Sequence, residues 1–228
     1  MKLSIIIPSY LEEENLRILL PRINSVLKTI AVPSEVLIID TETPLDSTAE
    51  ACALYGARYI PRVGGNRYGD AVRTGIHAAQ GEYCIFMDAD GSHTPEFIEK
   101  LFAERERADV IIASRYIDGG DTDNGKVLVL MSWIVNAVYA LVLGLNCKDV
   151  SNSFKLYHRE ELQALDLRCH NFDIVEEMLF KLKKRNKKLH ILELPYTFKK
   201  RMFGSTKRNL VAFMVSYGWT LIRLRFGK

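Results

Sequence analysis

The chain has 228 residues, 48% of them hydrophobic and 26% charged, with fourteen glycines and seven prolines. That length and balance exclude a disordered chain, a collagen-like repeat and a small disulfide-stapled scaffold, and they fit one large domain with a real core. The net charge of +3 hides an asymmetry: residues 181–208 hold eleven Lys or Arg against one acid, Glu193, a local +10 that leaves about −7 elsewhere.

The first strand is predicted at residues 3–8, LSIIIP, followed by a helical pattern at 12–30. Strands at 35–40, 57–61, 83–88 and 109–114 then alternate with helical spacing at 48–55, 69–79 and 95–107. Near-continuous β-branched runs suit parallel strands covered on both faces. Thr94 followed by Pro95 reads as a helix cap and a first-turn proline. The alternation over about the first 115 residues predicts an α/β fold with a mostly parallel, doubly wound sheet. The rhythm then breaks. A long apolar helix, a strand at 153–158, a helix at 173–185, a strand at 188–195, a basic loop and a terminal helix complete a single domain.

Two apolar segments complicate a simple soluble reading. Residues 127–145 contain no formal charge, a borderline length for crossing a bilayer, and Ser132, Asn136 and Gly144 weaken the spanning case. Residues 209–222 are also uncharged and are followed by Arg223, Arg225 and Lys228. Apolar faces with Trp133, Trp219, Tyr217 and flanking cations suit amphipathic helices at a membrane interface; buried helices are the plainer alternative. The basic run fits a solvated helix face, an anionic membrane surface or a phosphate ligand. Nucleic acid is least favoured, because no recognition motif accompanies the charge. Cys52, Cys84, Cys147 and Cys169 are scattered, which argues for reduced thiols in a cytoplasmic setting rather than zinc or disulfides. The opening apolar run of five residues is too short for a signal-peptide core.

In open α/β sheets ligands bind beyond the carboxyl ends of the strands. Those ends read Pro8-Ser9-Tyr10-Leu11-Glu12, then Asp40, then Asp88-Ala89-Asp90-Gly91, then Ser114-Arg115-Tyr116. Acids, an arginine and an aromatic residue thus collect on one edge. The first turn lacks the GxGxxG of a dinucleotide-binding unit, and no GxxxxGK[ST] occurs anywhere, so dehydrogenase and P-loop chemistry are disfavoured. Asp88 and Asp90, one residue apart after a buried strand, can face one Mg²⁺ or Mn²⁺, which binds through one or two carboxylates plus substrate phosphates. His77, His93, His158, His170 and His190 show no ligand spacing and read as surface or capping residues. Glu176 and Glu177 read as helix acids in solvated, capping or supporting roles; Phe154 and Tyr157 read as core.

The stretches SIIIPSYLEEENL, VLIIDTETPLDSTAE, YGDAVRTGIHAAQGEYCIFMDADGSHTPE, DVIIASRY, KDVSNSFKLYHRE and KKRMFGSTK resemble glycosyltransferase family 2, in particular its dolichyl-phosphate mannosyltransferase and polyprenyl-phosphate glycosyltransferase branch. The resemblance implies a GT-A type single domain. It divides the chain into a nucleotide-sugar half at 1–125 and an acceptor and membrane-interface half at 126–228. It implies metal-dependent inverting transfer of a hexose, with GDP-mannose favoured, to dolichyl or polyprenyl phosphate at the cytoplasmic face of a membrane. Pro8, Tyr10, Glu12 and Asp40 then match base and ribose positions. Asp88, Ala89 and Asp90 match the metal and diphosphate site, and Arg115 the arginine facing phosphates or sugar. Asp149, Ser151, Ser153 and Lys155 fall in a D-x-T-S-G-F-R-like stretch. Arg201, Ser205 and Lys207 fall in an acceptor-phosphate loop. Many relatives continue into transmembrane helices, so a small membrane-anchoring subunit joins the expected partners.

Several positions depart from the family pattern. Thr41 stands where a second Asp is usual, Arg67 where Gly is usual, and Asn152-Ser153 where Ser-Gly is usual; Ser92 occupies the third metal-side position, and Thr206 adds a residue to the acceptor loop. These changes bear on the base and the sugar rather than on the reaction class. The chemistry is self-consistent: a phosphate monoester acceptor has a second pKa of about 6, so it is largely ionised at neutral pH and needs no strong base. Asp149 would serve as a base only for a hydroxyl acceptor. A UDP-sugar donor (glucose or an N-acetylated sugar), a glycan or lipid hydroxyl acceptor, and a non-catalytic nucleotide-sugar-binding subunit are the alternatives.

Overall fold

Strand β1 (Leu3–Pro8) is buried at all six positions, because it lies between two parallel neighbours and under helices on both faces. This computed structural model describes residues 1–203 and 218–225. Around β1 stand β2 (Ser34–Asp40), β3 (Arg58–Pro61), β4 (Tyr83–Phe86) and β5 (Val110–Ser114). Strand β7 (Lys155–His158) and β8 (Ile191–Pro195) complete a seven-stranded sheet of order β3-β2-β1-β4-β7-β5-β8. Among the described residues, only β7 runs antiparallel to its sheet neighbours. Short strands β6 (Asp121–Thr122) and β9 (Thr197–Phe198) pair separately.

The pleat of β1 divides the core. Leu3, Ile5 and Ile7 face α1 (Glu13–Ile30) and α4 (Phe97–Ala103), whose Leu16, Leu19, Leu20, Ile98 and Leu101 are wholly buried. Ile6 faces α3 (Tyr68–Ala78), whose side of the sheet also carries α7 (Ile174–Arg185) through Met178, Leu179 and Leu182. Each such Leu or Ile contributes about 1.5–3 kcal/mol by leaving water. Helix α2 (Thr48–Tyr55) packs on α1, and α6 (Arg159–Gln163) on α3 and α7.

The expected α/β class and mostly parallel sheet are present. Helix α4 is shorter than its sequence pattern: it begins at Phe97 rather than 95, and no side chain caps it. The Thr94 N–H is taken instead by the Tyr196 hydroxyl at 2.8 Å, while Pro95 and Glu96 form a tight turn. The long apolar helix is α5 (Lys126–Leu143), ended by Gly144 in the left-handed conformation. All four cysteines are free and buried. The anticipated terminal helix lies mostly outside the described residues; residues 218–225 are helical, and Thr220 and Arg223 bond to Asp173 and the Cys169 sulfur.

Strand β7 enters the gap between β4 and β5 from their carboxyl edge, with Lys155 opposite both Phe86 and Ile112. That insertion delivers residues 149–154 to the same edge as the ends of β1, β2, β4 and β5. The strand order reverses between β1 and β4, where an open sheet places its cleft.

Candidate active site

After β4 the chain turns sharply through residues 88–93. Gly91 has φ +81°, and a Cβ there would stand 2.5 Å from Met202, so only glycine suits the turn. Asp88 and Asp90 line it with partly exposed carboxylates. Asp88 Oδ1 accepts from Ser153 Oγ at 2.9 Å and from the Tyr68 hydroxyl at 3.5 Å. Asp90 Oδ1 accepts from the Ser92 N–H at 3.0 Å and Ser92 Oγ at 2.5 Å. Burial raises the Asp90 carboxyl, but the Ser92 hydrogen bonds and the Arg201 charge outweigh it and hold it below the usual value. Asp88 Oδ2 lies 3.9 Å from His93 Nε2, and Asp90 Oδ2 lies 3.4 Å from Arg201 Nη2. Two carboxylates one residue apart fit a divalent cation that takes its other ligands from a diphosphate; no group of three His, Cys, Asp or Glu side chains suited to a metal occurs among the described residues. Ala89 is buried between the two acids.

The β1 end contributes Pro8, Tyr10 and Glu12. Glu12 accepts from Asn15 Nδ2 at 2.6 Å and from Arg201 Nη1 at 2.8 Å. Leu11 has φ +56°, an uncommon conformation for a branched residue, beside the site. Asp40 at the β2 end is buried and accepts from the Tyr59 hydroxyl at 3.2 Å; burial pushes its carboxyl up. Thr41, in place of a second acid, donates to the Thr43 carbonyl at 2.6 Å. Arg62, at the end of β3, was not singled out from the sequence, yet it is buried here. It donates to the Ser9 and Asn66 carbonyls and spans the β1 and β3 loops. The strand-end rule, extended to β3, would have found it.

Arg115 follows β5. Its backbone N–H and Nε both donate to Asp149 Oδ2 at 2.8 Å, and Nη2 donates to Asp149 Oδ1 at 2.7 Å and Ser151 Oγ at 3.1 Å. Asp149 is wholly buried; burial raises its carboxyl, and the Arg115 charge and hydrogen bonds lower it further than that. Both its oxygens serve Arg115, which leaves it oriented away from proton transfer. Lys155 does not face the cleft either. It is buried, donates to the Val150 and Asn152 carbonyls, and is lowered to about 8 by burial.

Residues 199–203 lie across the turn. The Lys199 N–H donates to Ser92 O at 3.1 Å and the Met202 N–H to Asp90 O at 2.9 Å. Arg201 Nη2 stands 3.4 Å from Asp90 Oδ2. Ser205 and Lys207 lie outside the described residues. Thus the acids, Arg115 and Arg201 share one edge. A cleft of about 490 Å³ lined by Glu82, Asp109, His158 and Leu182 opens at the opposite end of the sheet and holds none of them.

One expectation fails here. His93 is not a surface residue but wholly buried under Phe154, because both ring nitrogens find partners inside. Glu177 takes the capping alternative: it accepts the Arg168 and Cys169 N–H groups at 2.9 and 2.7 Å, and Glu176 is wholly buried. Opposite the acids, Tyr68 stacks on Phe172 at 4.2 Å. Gly69 permits that approach, since a Cβ would stand 2.3 Å from the Cys169 carbonyl oxygen.

A sheet of this order with paired acids at its switch point is the frame of a GT-A glycosyltransferase. The sequence profile of "Glycosyl transferase family 2" matches residues 4–165, and the chain belongs to that family. It is similar to a dolichol-phosphate mannosyltransferase of Pyrococcus furiosus, 32% identical over 91% of this chain and 59% of that protein. It is also similar to an undecaprenyl-phosphate mannosyltransferase of Micrococcus luteus, 29% identical over the whole of both. The chain therefore spans about three fifths of the first relative's length. Among solved structures it resembles glucosyl-3-phosphoglycerate synthase from Mycobacterium tuberculosis, crystallised with Mn²⁺, UDP and glucosyl-3-phosphoglycerate. The TM-score is 0.75 at 18% identity, over 98% of this chain and 80% of that one, a likeness of fold. The same enzyme was also crystallised with Mg²⁺ and UDP (TM-score 0.73, 17% identity, 98% and 79% covered).

Proposed function

We infer that this chain transfers a hexose, mannose from GDP-mannose by preference, from a nucleoside-diphosphate sugar to a polyprenyl phosphate at a membrane surface. The observation that carries this reading is the position of α5. Helix α5 is long and apolar enough to cross a membrane, with mean hydropathy 2.0 and only 17% buried. Leu130, Trp133, Ile134 and Leu141 are exposed, while Asn136, Tyr139 and Leu143 form the stripe that packs on the domain. One packed stripe and bare flanks suit a helix lying in an interface. Asn136 accepts the Ser151 N–H at 2.8 Å, and Ser151 touches Arg115. A lipid surface on α5 would thus adjoin a fixed cation. The polyprenyl-phosphate relatives support the acceptor class.

In this reading the half at 1–125 holds the donor and the half at 126–228 the acceptor and the membrane. Pro8, Tyr10, Glu12, Asp40 and Arg62 border the nucleotide. Asp88 and Asp90 hold Mg²⁺ or Mn²⁺, which when bound offsets the charge of the departing diphosphate. Arg115, fixed by Asp149, faces the phosphates, and Arg201 with Lys207 draws the acceptor phosphate against repulsion from the donor. An acceptor phosphate oxygen forms the bond to the anomeric carbon as the bond to the diphosphate breaks, with inversion; the nucleoside diphosphate leaves with the electron pair. The acceptor enters ionised, so no side chain need take a proton. Asp149, sealed against Arg115, argues against a hydroxyl acceptor. The polyprenyl-phosphate relatives and the bare flanks of α5 support a membrane-associated enzyme; the cytoplasmic face and a small anchoring subunit are part of the proposal.

The test is transfer of labelled sugar into an organic-extractable product, using dolichyl phosphate, Mn²⁺ or Mg²⁺, and a panel of GDP- and UDP-sugars. Lipid-phase label with GDP-mannose, lost in Asp90→Ala, is expected. Label with a UDP-sugar alone would overturn the donor, and label only in glycan or lipid hydroxyl acceptors would overturn the acceptor.

A further inference from the structure

His93 makes two buried hydrogen bonds that none of the roles above requires. Its Nδ1 accepts the Asp88 backbone N–H at 2.9 Å, so that nitrogen carries no proton. Nε2–H then donates to Asn152 Oδ1 at 3.0 Å. Asn152 is equally committed. Its Nδ2 donates to the Ala113 carbonyl near the end of β5 at 2.6 Å, and its backbone N–H donates to Asp149 Oδ1 at 3.2 Å. Asp149 is the partner of Arg115. An unbroken line of hydrogen bonds therefore runs inside the protein from the acid turn to the arginine.

The ring cannot slide out of this line. It stacks on Phe154 at 4.6 Å and meets the edges of Tyr196 and Phe198. The Tyr196 hydroxyl donates to Ser92 O and accepts the Thr94 N–H, both at 2.8 Å, which fixes the far side of the same turn. Beside it, Ser153 Oγ anchors Asp88 Oδ1 at 2.9 Å, and Asp88 Oδ2 lies 3.9 Å from His93 Nε2, so both carboxylate oxygens are placed by these residues. Asn152 and Ser153 are also the two positions where this chain departs from the family's Ser-Gly, and both side chains end on this turn.

We propose that His93, Asn152 and Ser153 are positioning residues that set the spacing between the cation-holding carboxylates and Arg115. Groups that act together on a diphosphate tolerate about 0.5 Å of misplacement, and partners behind a metal ligand orient it. A buried aromatic ring alone would satisfy the packing; the two polar ends of His93 and the Ser153 hydroxyl do the aiming. The proposal rests on the functional reading above.

The experiment is Mn²⁺ binding in the presence of GDP or UDP, read by electron paramagnetic resonance of free Mn²⁺, on the full chain. Ser153→Ala and His93→Phe should each raise the Mn²⁺ dissociation constant by about tenfold or more, as loss of supporting partners does elsewhere. His93→Asn, whose side-chain oxygen stands near the place of Nδ1, should recover part of that loss. The Mn²⁺ concentration for half-maximal transfer should move in parallel, with a smaller change in kcat at saturating Mn²⁺. Thermal unfolding monitors the fold, and Ser153→Ala removes one hydroxyl only, so it decides if His93→Phe does not fold. Unchanged Mn²⁺ constants in folded Ser153→Ala and His93→Phe would overturn the proposal alone. A wild type that binds no Mn²⁺ with either nucleotide would overturn the functional reading and this proposal with it.

Discussion

Asp149 grips Arg115 through the arginine's backbone N–H, Nε and Nη2, all within 2.8 Å, in a pair nearly sealed from water. The planar guanidinium matches the carboxylate on two parallel bonds, which a lysine could not reproduce.

Removing one partner of such a pair strands a buried charge. Asp149→Ala should destabilise the protein by about 3–5 kcal/mol in denaturant unfolding. A loss below about 1 kcal/mol would contradict a buried pair, since values that small belong to exposed ones. The folded Asp149 carboxyl lies below its usual range, so its contribution is complete above the unfolded value of about 4 and is lost as pH falls through the folded value. Wild type should therefore lose its advantage over Asp149→Asn only in acid below that point.

Lys155 gives a signature of the same sign in the alkaline range. Burial lowers it to about 8, against the pull of Asp149 and Glu176. Between that value and the unfolded value of about 10.4, the unfolded chain holds the proton and the folded chain does not, so stability from this position rises with pH. From pH 7.5 to 10.5, wild type should gain on the order of 2–3 kcal/mol relative to Lys155→Met. Parallel stability curves would show that Lys155 is not charged and buried at neutral pH.

Helix α5 predicts a separation of binding from folding. Leu130, Trp133 and Leu141 are 58%, 51% and 82% exposed, so they contribute little to the folded state. Leu130→Glu with Leu141→Glu should shift the unfolding free energy by no more than about 0.5 kcal/mol per site. The same pair should abolish co-sedimentation with vesicles containing anionic lipid. Retained vesicle binding would remove α5 as the membrane face.

Arg201 is 27% exposed at its side chain and reaches both Glu12 and Asp90. Arg201→Gln should leave the fold intact and lower transfer to a phosphate acceptor by at least about tenfold, the loss expected for a charge acting on developing negative charge. An unchanged rate would confine Arg201 to holding residues 199–203 in place.

Much of this was readable from residue order. The run LSIIIP is apolar on both sides of its pleat, which marks a central parallel strand, and the strand-end rule then led to Asp40, Asp88, Asp90 and Arg115. The rule was silent on β7, because nothing local in KLYH says that it inserts antiparallel between β4 and β5. Only that insertion explains how Asp149 reaches Arg115 and Ser153 reaches Asp88. His93 was misread for a related reason: a lone histidine carries no spacing signal, and its burial depends on Asn152 and Phe154 arriving from fifty-nine and sixty-one positions away. Glu177 reads equally as a solvated, capping or supporting helix acid, and its capping role is fixed only when residues 168 and 169 bring two N–H groups to it.

The most direct measurement is a crystal of the full chain grown with Mn²⁺ and GDP or UDP, with the metal located by anomalous scattering. A peak between Asp88 and Asp90, bridged to the diphosphate, with Arg115 on the phosphate side, is the predicted result. Metal and nucleotide bound elsewhere, for example in the cleft beside Glu82 and Asp109, with the Asp88 and Asp90 edge empty, would contradict the account.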